Sequence, residues 1–408
     1  MSRGIFKWLG TLGLIVAVSV MFLPNVSAKK EKVSVPKEYV IGGMQALSGP
    51  GYAAVVDFLL KASKLAVDEI NEAGGINGIP LKIVWEDHKA RGPDAVSALN
   101  KLIDIDKVPV ATLGYTAPVM ATGPVAEERE TLLINHGGYG PAVVGCGKYT
   151  FHLPANELVL IRAMLDYAKK NLGVKTLGLI YVNDDMGISV RNFIKGYCPK
   201  IGITYKGEES FDLAATDYSA QIAKARGWKA DAIYLSIHKH PVTKQANEAG
   251  FHPQWIGCPL YTLSEFLKWG PGIEGALSAA ADVSFERNPG MVKLKENWEK
   301  KYGAGTFPKG GVSYIADGYN YPYMVKDMIQ YGLKQKWPDY WTGKRLRQAL
   351  VEIRTFRGPS GEITFSIKEG TSSRNIDLFQ PVPDPATPGT YKWKEAAFYP
   401  GSKVAALP

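Results

Sequence analysis

A chain of 408 residues that is 46% hydrophobic and 21% charged, with 43 Gly and 26 Pro, has the composition of a globular protein and not of a disordered or collagen-like one. Its formal net charge of +9 comes from Lys and Arg scattered singly or in pairs, with no dense stripe interleaved with aromatics, which argues against nucleic-acid binding. Cys146, Cys198 and Cys258 cannot build a disulfide scaffold, and at most one pair among them can close.

Residues 1–28 read as a secretory signal peptide. Arg3 and Lys7 form a basic start, residues 9–23 are apolar, and Val26-Ser27-Ala28 offers the small side chains a signal peptidase needs. The apolar run is short for a membrane-spanning helix, which takes about 20 residues. Removing this leader takes away two positive charges and leaves a mildly basic chain whose length suits two or three domains.

Beyond a charged leader at 29–37, strands and helices alternate. Residues 39–44 predict a first strand ending at Ser48-Gly49-Pro50-Gly51. Val55, Leu59, Ala62, Ala66 and Ile70 then recur at helical spacing, and Gly74-Gly75 stop the helix. Strands follow at 81–85, 110–113 and 132–135, with helices at 93–105 and 117–129. Single helices between strands imply parallel pairing through right-handed crossovers. A second series starts near Pro154, with helices at 157–171 and 187–198 and strands at 176–182, 203–208 and 230–237. The fold class is therefore α/β, with two similar doubly wound parallel-sheet lobes. The tail differs: helices are predicted at 291–302, 312–331 and 342–353, a strand at 362–365, and beyond the prolines at 381, 383, 385 and 388 mostly loop with a short strand at 391–393.

Enzyme signatures are missing. Gly270-Pro271-Gly272-Ile273-Glu274-Gly275 has dinucleotide-loop spacing but no preceding strand, and no phosphate loop, nucleophile elbow or zinc-protease motif occurs. All six His (88, 136, 152, 238, 240 and 252) fall in or beside predicted loops. His238 and His240 lack a third metal ligand at a supporting spacing. Exposed loop histidines are the plain expectation, except that His136 and His238 stand where loops at the carboxyl ends of parallel strands face a ligand crevice. Asp184-Asp185 and Thr116 sit at helix starts, where each can be a cap or part of an anion site.

Leu47-Ser48-Gly49-Pro50, Ala66-Val67-Asp68-Glu69-Ile70-Asn71, Ala73-Gly74-Gly75-Ile76-Asn77-Gly78, Pro124-Val125-Ala126-Glu127 and Asn183-Asp184-Asp185-Met186-Gly187, in this order over some 330 residues, resemble the periplasmic solute-binding proteins of branched-chain amino acid ABC transporters. The resemblance implies the type I periplasmic binding fold, two α/β lobes joined by a three-stranded hinge and closing over a small ligand. Crossings are expected near Leu153, Asp282 and Arg357. The N-terminal lobe would comprise 38–153 with 283–357, and the C-terminal lobe 154–282 with 358–404.

Carried over by position, the resemblance puts the hydroxyl that receives a ligand carboxylate on Thr116 and the next ligand loop on Gly137, Gly138 and Tyr139. It puts the second lobe's aromatics at Met186 and near His238, which are departures from the usual residues. Ser48, Tyr52, Tyr115, Asp185 and Leu260 complete the expected set. The acid that would pair with an amino acid's ammonium should lie within 257–260, where none stands. A buried ammonium without a carboxylate is costly, so the expected ligand is a hydrophobic or aromatic acid, with a branched-chain amino acid as the alternative. The implied protein is a non-enzymatic, monomeric periplasmic component that serves a membrane permease and needs no cofactor or metal. A sensory domain of the same fold and, further off, an exported enzyme are the rivals.

Overall fold

The computed structural model describes residues 35–49, 54–236, 242–257, 266–308, 311–405 and 407. The predicted signal peptide and Tyr52, His238, His240, Cys258 and Leu260 lie outside the described residues. Among those described, no helix is long and apolar enough to cross a membrane.

The first lobe is built on five parallel strands: β1 (Tyr39–Gln45), β2 (Leu81–Asp87), β3 (Val110–Gly114), β4 (Leu132–Gly137) and β5 (Thr150–His152), in the order β2-β1-β3-β4-β5. Between them run α1 (Ala54–Glu72), α2 (Gly92–Asp104) and α3 (Thr116–Glu128). Strands β1, β3 and β4 are almost continuously apolar and buried, as the centre of a sheet covered on both faces requires, while the edge strand β2 is mostly half-buried.

The second lobe repeats the scheme. Helix α4 (Glu157–Asn171) leads into β6 (Thr176–Val182), α5 (Asp185–Tyr197), β7 (Thr204–Phe211), α6 (Ser219–Gly227), β8 (Ala232–Ser236), α7 (Val242–Glu248) and β9 (Gln254–Gly257), and the parallel sheet has the order β7-β6-β8-β9. Helix starts obey local chemistry: Asn156 Oδ1 accepts the Leu158 N–H at 2.8 Å and Asp184 Oδ1 the Gly187 N–H at 2.8 Å. Asp184 is thus a true cap.

The rest of the chain closes both lobes. After β10 (Ser278–Ala281) comes α8 (Pro289–Tyr302), which packs against α1 and the start of α9 (Val312–Lys334), while α9 and α10 (Gly343–Ile353) pack on the first sheet. Gly318 lets α9 approach α1 closely, since a Cβ there would sit 2.8 Å from the Leu59 carbonyl oxygen. The antiparallel strands β11 (Thr355–Gly358), β12 (Gly361–Phe365) and β13 (Ser372–Ser373) form a small sheet, and Phe356, Ile363 and Phe365 join Phe151 in the first core. Finally β14 (Ile376–Pro383) pairs antiparallel with β10 on one side and with β15 (Tyr391–Tyr399) on the other, and Ile376, Leu378 and Tyr399 pack with α4 and β6.

The expected loop at the C-terminus is corrected: Tyr391–Tyr399 is a nine-residue strand. Pro381 and Pro383 fit in β14 because β10 reaches only as far as Phe379, so no neighbour on that side needs their missing N–H.

Charge pairs sit where the chain passes between the sheets. Arg374, just before β14, donates to Asp317 of α9 at 2.6 Å and to the Leu153 carbonyl at 3.4 Å, both inside the protein. Arg287, between β10 and α8, bridges Asp282 (3.1 Å), Asp377 (2.6 Å) and Glu395 (2.8 Å) and lies 4.7 Å from the Phe398 ring centre.

Candidate functional site

The carboxyl ends of both parallel sheets and the helix starts that follow them are the places where such folds hold ligands. In the first lobe this end carries polar side chains on otherwise apolar strands: Gln45, Thr112, Asn135 and His136 are all buried. Thr112 donates its hydroxyl to the Ile134 carbonyl at 2.7 Å and so accepts from His136 Nδ1. That leaves His136 Nε2 to accept from the Gln45 amide. Burial and the neighbouring His88 pull the His136 pKa down to about 3, which keeps the ring neutral.

His136 therefore lies beneath the crevice with both ring nitrogens engaged, instead of facing a ligand as expected. The plain expectation of exposed loop histidines fails as well for His88 and His152, which are buried with pKa values drawn down to about 4. The His88 ring stands edge-on to Tyr115 at 5.6 Å.

Tyr115 and Thr116 form the junction from β3 to α3. Tyr115 holds φ at +68°, a conformation non-glycine residues rarely adopt and which concentrates at functional turns. Thr116 opens α3, but its side chain is no cap: Oγ1 accepts the Gly140 N–H at 3.2 Å, across 24 residues. A hydroxyl that accepts in this way keeps its own proton to donate.

Loop 137–140 is held from below by Asn135. Its Oδ1 accepts from the Gly137 and Gly138 N–H groups at 3.1 and 2.6 Å, and its Nδ2 donates to the Gly138 carbonyl at 2.7 Å. Those two amides are engaged, so Gly137 and Gly138 shape the site without offering N–H groups to it. Gly140 is wedged between lobes: a Cβ there would lie 2.8 Å from Ser189 Oγ of α5 and 3.0 Å from Thr116 Oγ1.

Across the cleft, Met186 is buried near the start of α5, and its carbonyl accepts from Ser189 Oγ at 2.8 Å. Asp185 is exposed. Ser48 is exposed too, and its hydroxyl donates to Asp87, whose other oxygen accepts from the Leu47 and Lys89 N–H groups. The structure thus brings Tyr115, Thr116, Gly137, Gly138 and Tyr139 together, sets Met186 on α5, whose Ser189 comes close to Gly140, and leaves Ser48 bonded to Asp87 at the end of β2. Tyr139 and Tyr314 meet edge-on at 5.5 Å and, with Ala155, Leu160, Ala279, Ala281 and Asp317, line a cavity of about 20 Å³. That volume holds about one water and no aromatic ring.

Glu157 was missed by sequence reasoning. It opens α4, is fully buried, and its N–H donates to the Tyr139 carbonyl at 3.0 Å. Tyr234 donates to its Oε1 at 3.1 Å, while burial and the nearby Asp184 raise its pKa well above the usual carboxylate range. Polar residues closing apolar strands, such as Gln45 and Asn135, were a usable signal for the first lobe. Glu157, at the start of a helix, offered none. Among the described residues no group of three or more His, Cys, Asp or Glu side chains is placed to hold a metal.

Two lobes whose sheet ends and helix starts face each other define a type I periplasmic binding fold. A crystal structure of the branched-chain amino acid transporter substrate-binding protein of Streptococcus pneumoniae in complex with isoleucine matches with a TM-score of 0.70 at 18% identity over 88% of this chain and 99% of that one. An ABC transporter solute-binding protein from R. palustris in complex with 4-hydroxybenzoate matches with a TM-score of 0.72 at 16% identity over 91% and 99%. Likeness at such identity is likeness of fold. The family model described as periplasmic binding protein matches residues 38–385, and the chain belongs to that family, one of solute-binding proteins and not of enzymes. Among curated relatives, the Leu/Ile/Val-binding protein homolog 3 of Brucella melitensis is 25% identical over 350 residues, 84% of this chain and 91% of that protein.

Proposed function

We propose that this protein is the periplasmic solute-binding component of an ABC importer, a monomer that captures a small carboxylate-bearing ligand between its lobes and hands it to a membrane permease. One observation carries the reading. Thr116, at the start of α3, has its hydroxyl proton free of the bond it accepts from Gly140, at a helix N-terminus whose first N–H groups have no partner within the helix. Tyr115, Gly137, Gly138 and Tyr139 shape that anion site, and Met186 supplies an adaptable apolar wall from the second lobe. Ser48, Tyr52, Asp185, His238 and Leu260 remain members of the wider proposed set.

The apolar side of the ligand is read as hydrophobic or aromatic, because no acid stands at 257–260 to meet an ammonium. A branched-chain amino acid is the second reading, favoured by the names of the Brucella relative and of the isoleucine complex. A thermal-shift screen over amino acids, aromatic acids, fatty acids and amides tests this, since a ligand bound only by the folded state raises its melting temperature. A shift with acids and none with amides supports the reading, and a shift with amides alone refutes it.

Residues 1–28 serve in this reading as a cleaved signal peptide. The lobes divide at crossings near Leu153 and Asp282, with the third near Arg374 instead of Arg357. The packing of Ile363 and Phe365 against Phe151 supports that shift.

A further inference from the structure

Near the carboxyl end of the second sheet, Glu157 Oε2 and Ser236 Oγ are among the buried polar atoms that keep no partner among the described residues. Tyr234 links them. Tyr234 and Ser236 are two apart on β8 and so point to the same face, and the Tyr234 hydroxyl is bonded to the other oxygen of Glu157. Asp184, capping α5, lends its negative charge from the side, and the Glu157 N–H is tied to Tyr139 in the first lobe's ligand loop. A buried polar atom with no partner costs roughly 1–3 kcal/mol and calls for an explanation.

We propose that Glu157 is a specificity-determining residue of the cleft, and that its free oxygen, in the neutral acid form, exchanges a hydrogen bond with an uncharged oxygen on the ligand. The inference rests on the solute-binding reading above and narrows it to carboxylic acids that carry a hydroxyl or carbonyl group. The chemistry follows from what the side chain can do. A neutral carboxyl both donates and accepts, which suits a hydroxyl or a carbonyl. An ammonium suits only the ionised form, and burial together with Asp184 opposes ionisation.

Calorimetry on the mature protein tests this with two matched pairs: 4-hydroxybenzoate against benzoate, and 4-methyl-2-oxopentanoate against leucine. Each titration is run in two buffers of different ionisation heat, so that protons released on binding are counted. The oxygen-bearing acid of each pair is expected to bind about tenfold or more tighter, the magnitude of one hydrogen bond to a group otherwise left unpaired, without net proton release. Glu157→Gln, which still donates and accepts, should keep that preference within about threefold, and Glu157→Met should erase it. Tighter binding of leucine with release of one proton would overturn the inference, because Glu157 would then be ionising to meet the ammonium. A preference that survives in a folded Glu157→Met variant would overturn it too. The proton count is read on the unaltered protein, so it decides the matter even where Glu157→Met does not fold. Failure of all four compounds to bind would overturn the ligand class proposed above, and the inference with it.

Discussion

At the scale of single residues, the account turns on hydroxyls and amides whose partners lie far away in sequence. Thr116 could be read from the sequence as a helix cap or as part of an anion site; its oxygen accepts from Gly140, and in the proposed function its O–H donates to the ligand. Thr116→Val keeps the shape and removes the hydroxyl. Losing a hydrogen bond to a charged group should weaken carboxylate binding by roughly 1.5–3 kcal/mol, read by calorimetry against the unaltered protein. Unchanged affinity with a lowered melting temperature would leave Thr116 only the task of holding loop 137–140. What the sequence revealed at this scale was position: the end of an apolar strand followed by a helix marks Thr116 and the 137–139 loop. The roles were hidden because they depend on contacts such as Asn135 beneath Gly138, or Glu157 beside Tyr234, that only the folded chain creates.

Among the elements, the crossing region carries its own titration. Asp282 and Asp377 are both buried beside Arg287, and burial with the adjacent Asp282 carboxylate pushes the Asp377 pKa up to about 8. An acid with a raised folded-state pKa keeps its proton in the folded chain while the unfolded chain gives it up. Stability is therefore lost progressively as pH rises from about 4 to about 8, and the loss levels off above that. Asp377→Asn mimics the protonated form at every pH. Scanning calorimetry from pH 5 to 8 should show the melting temperature of the unaltered protein falling more steeply than that of Asp377→Asn. Parallel curves would mean that Asp377 is ionised throughout.

Elements with long apolar or amphipathic runs were legible in the sequence: α4 and β6 fall at their expected bounds, and most others within a few residues. The short ones were not. Helix α6 buries only Ile222 and Ala225 in nine residues, too few to show a period, and the prolines of β14 disguised a strand whose free side tolerates them.

For the whole molecule, Gly140 approaches Ser189 of the other lobe closely, and the cavity beside Tyr139, of about 20 Å³ among the described residues, holds about one water, so an aromatic acid is expected to enter only as the lobes part. Entry and capture then require rotation about the crossings, a hinge motion of the kind ligand-closing proteins use. Small-angle scattering should give a smaller radius of gyration at saturating ligand than without it. An identical profile in both states would contradict the hinge.

The claim on which everything else depends is that the cleft recognises a carboxylate. Titration calorimetry of the mature protein with 4-hydroxybenzoate and with 4-hydroxybenzamide addresses it most directly, because the two share ring and hydroxyl and differ only in the charged group. The account predicts saturable binding of the acid and binding of the amide weaker by about tenfold or more, as loss of a charge-assisted hydrogen bond requires. Equal affinity for both, or binding of the amide alone, would contradict it.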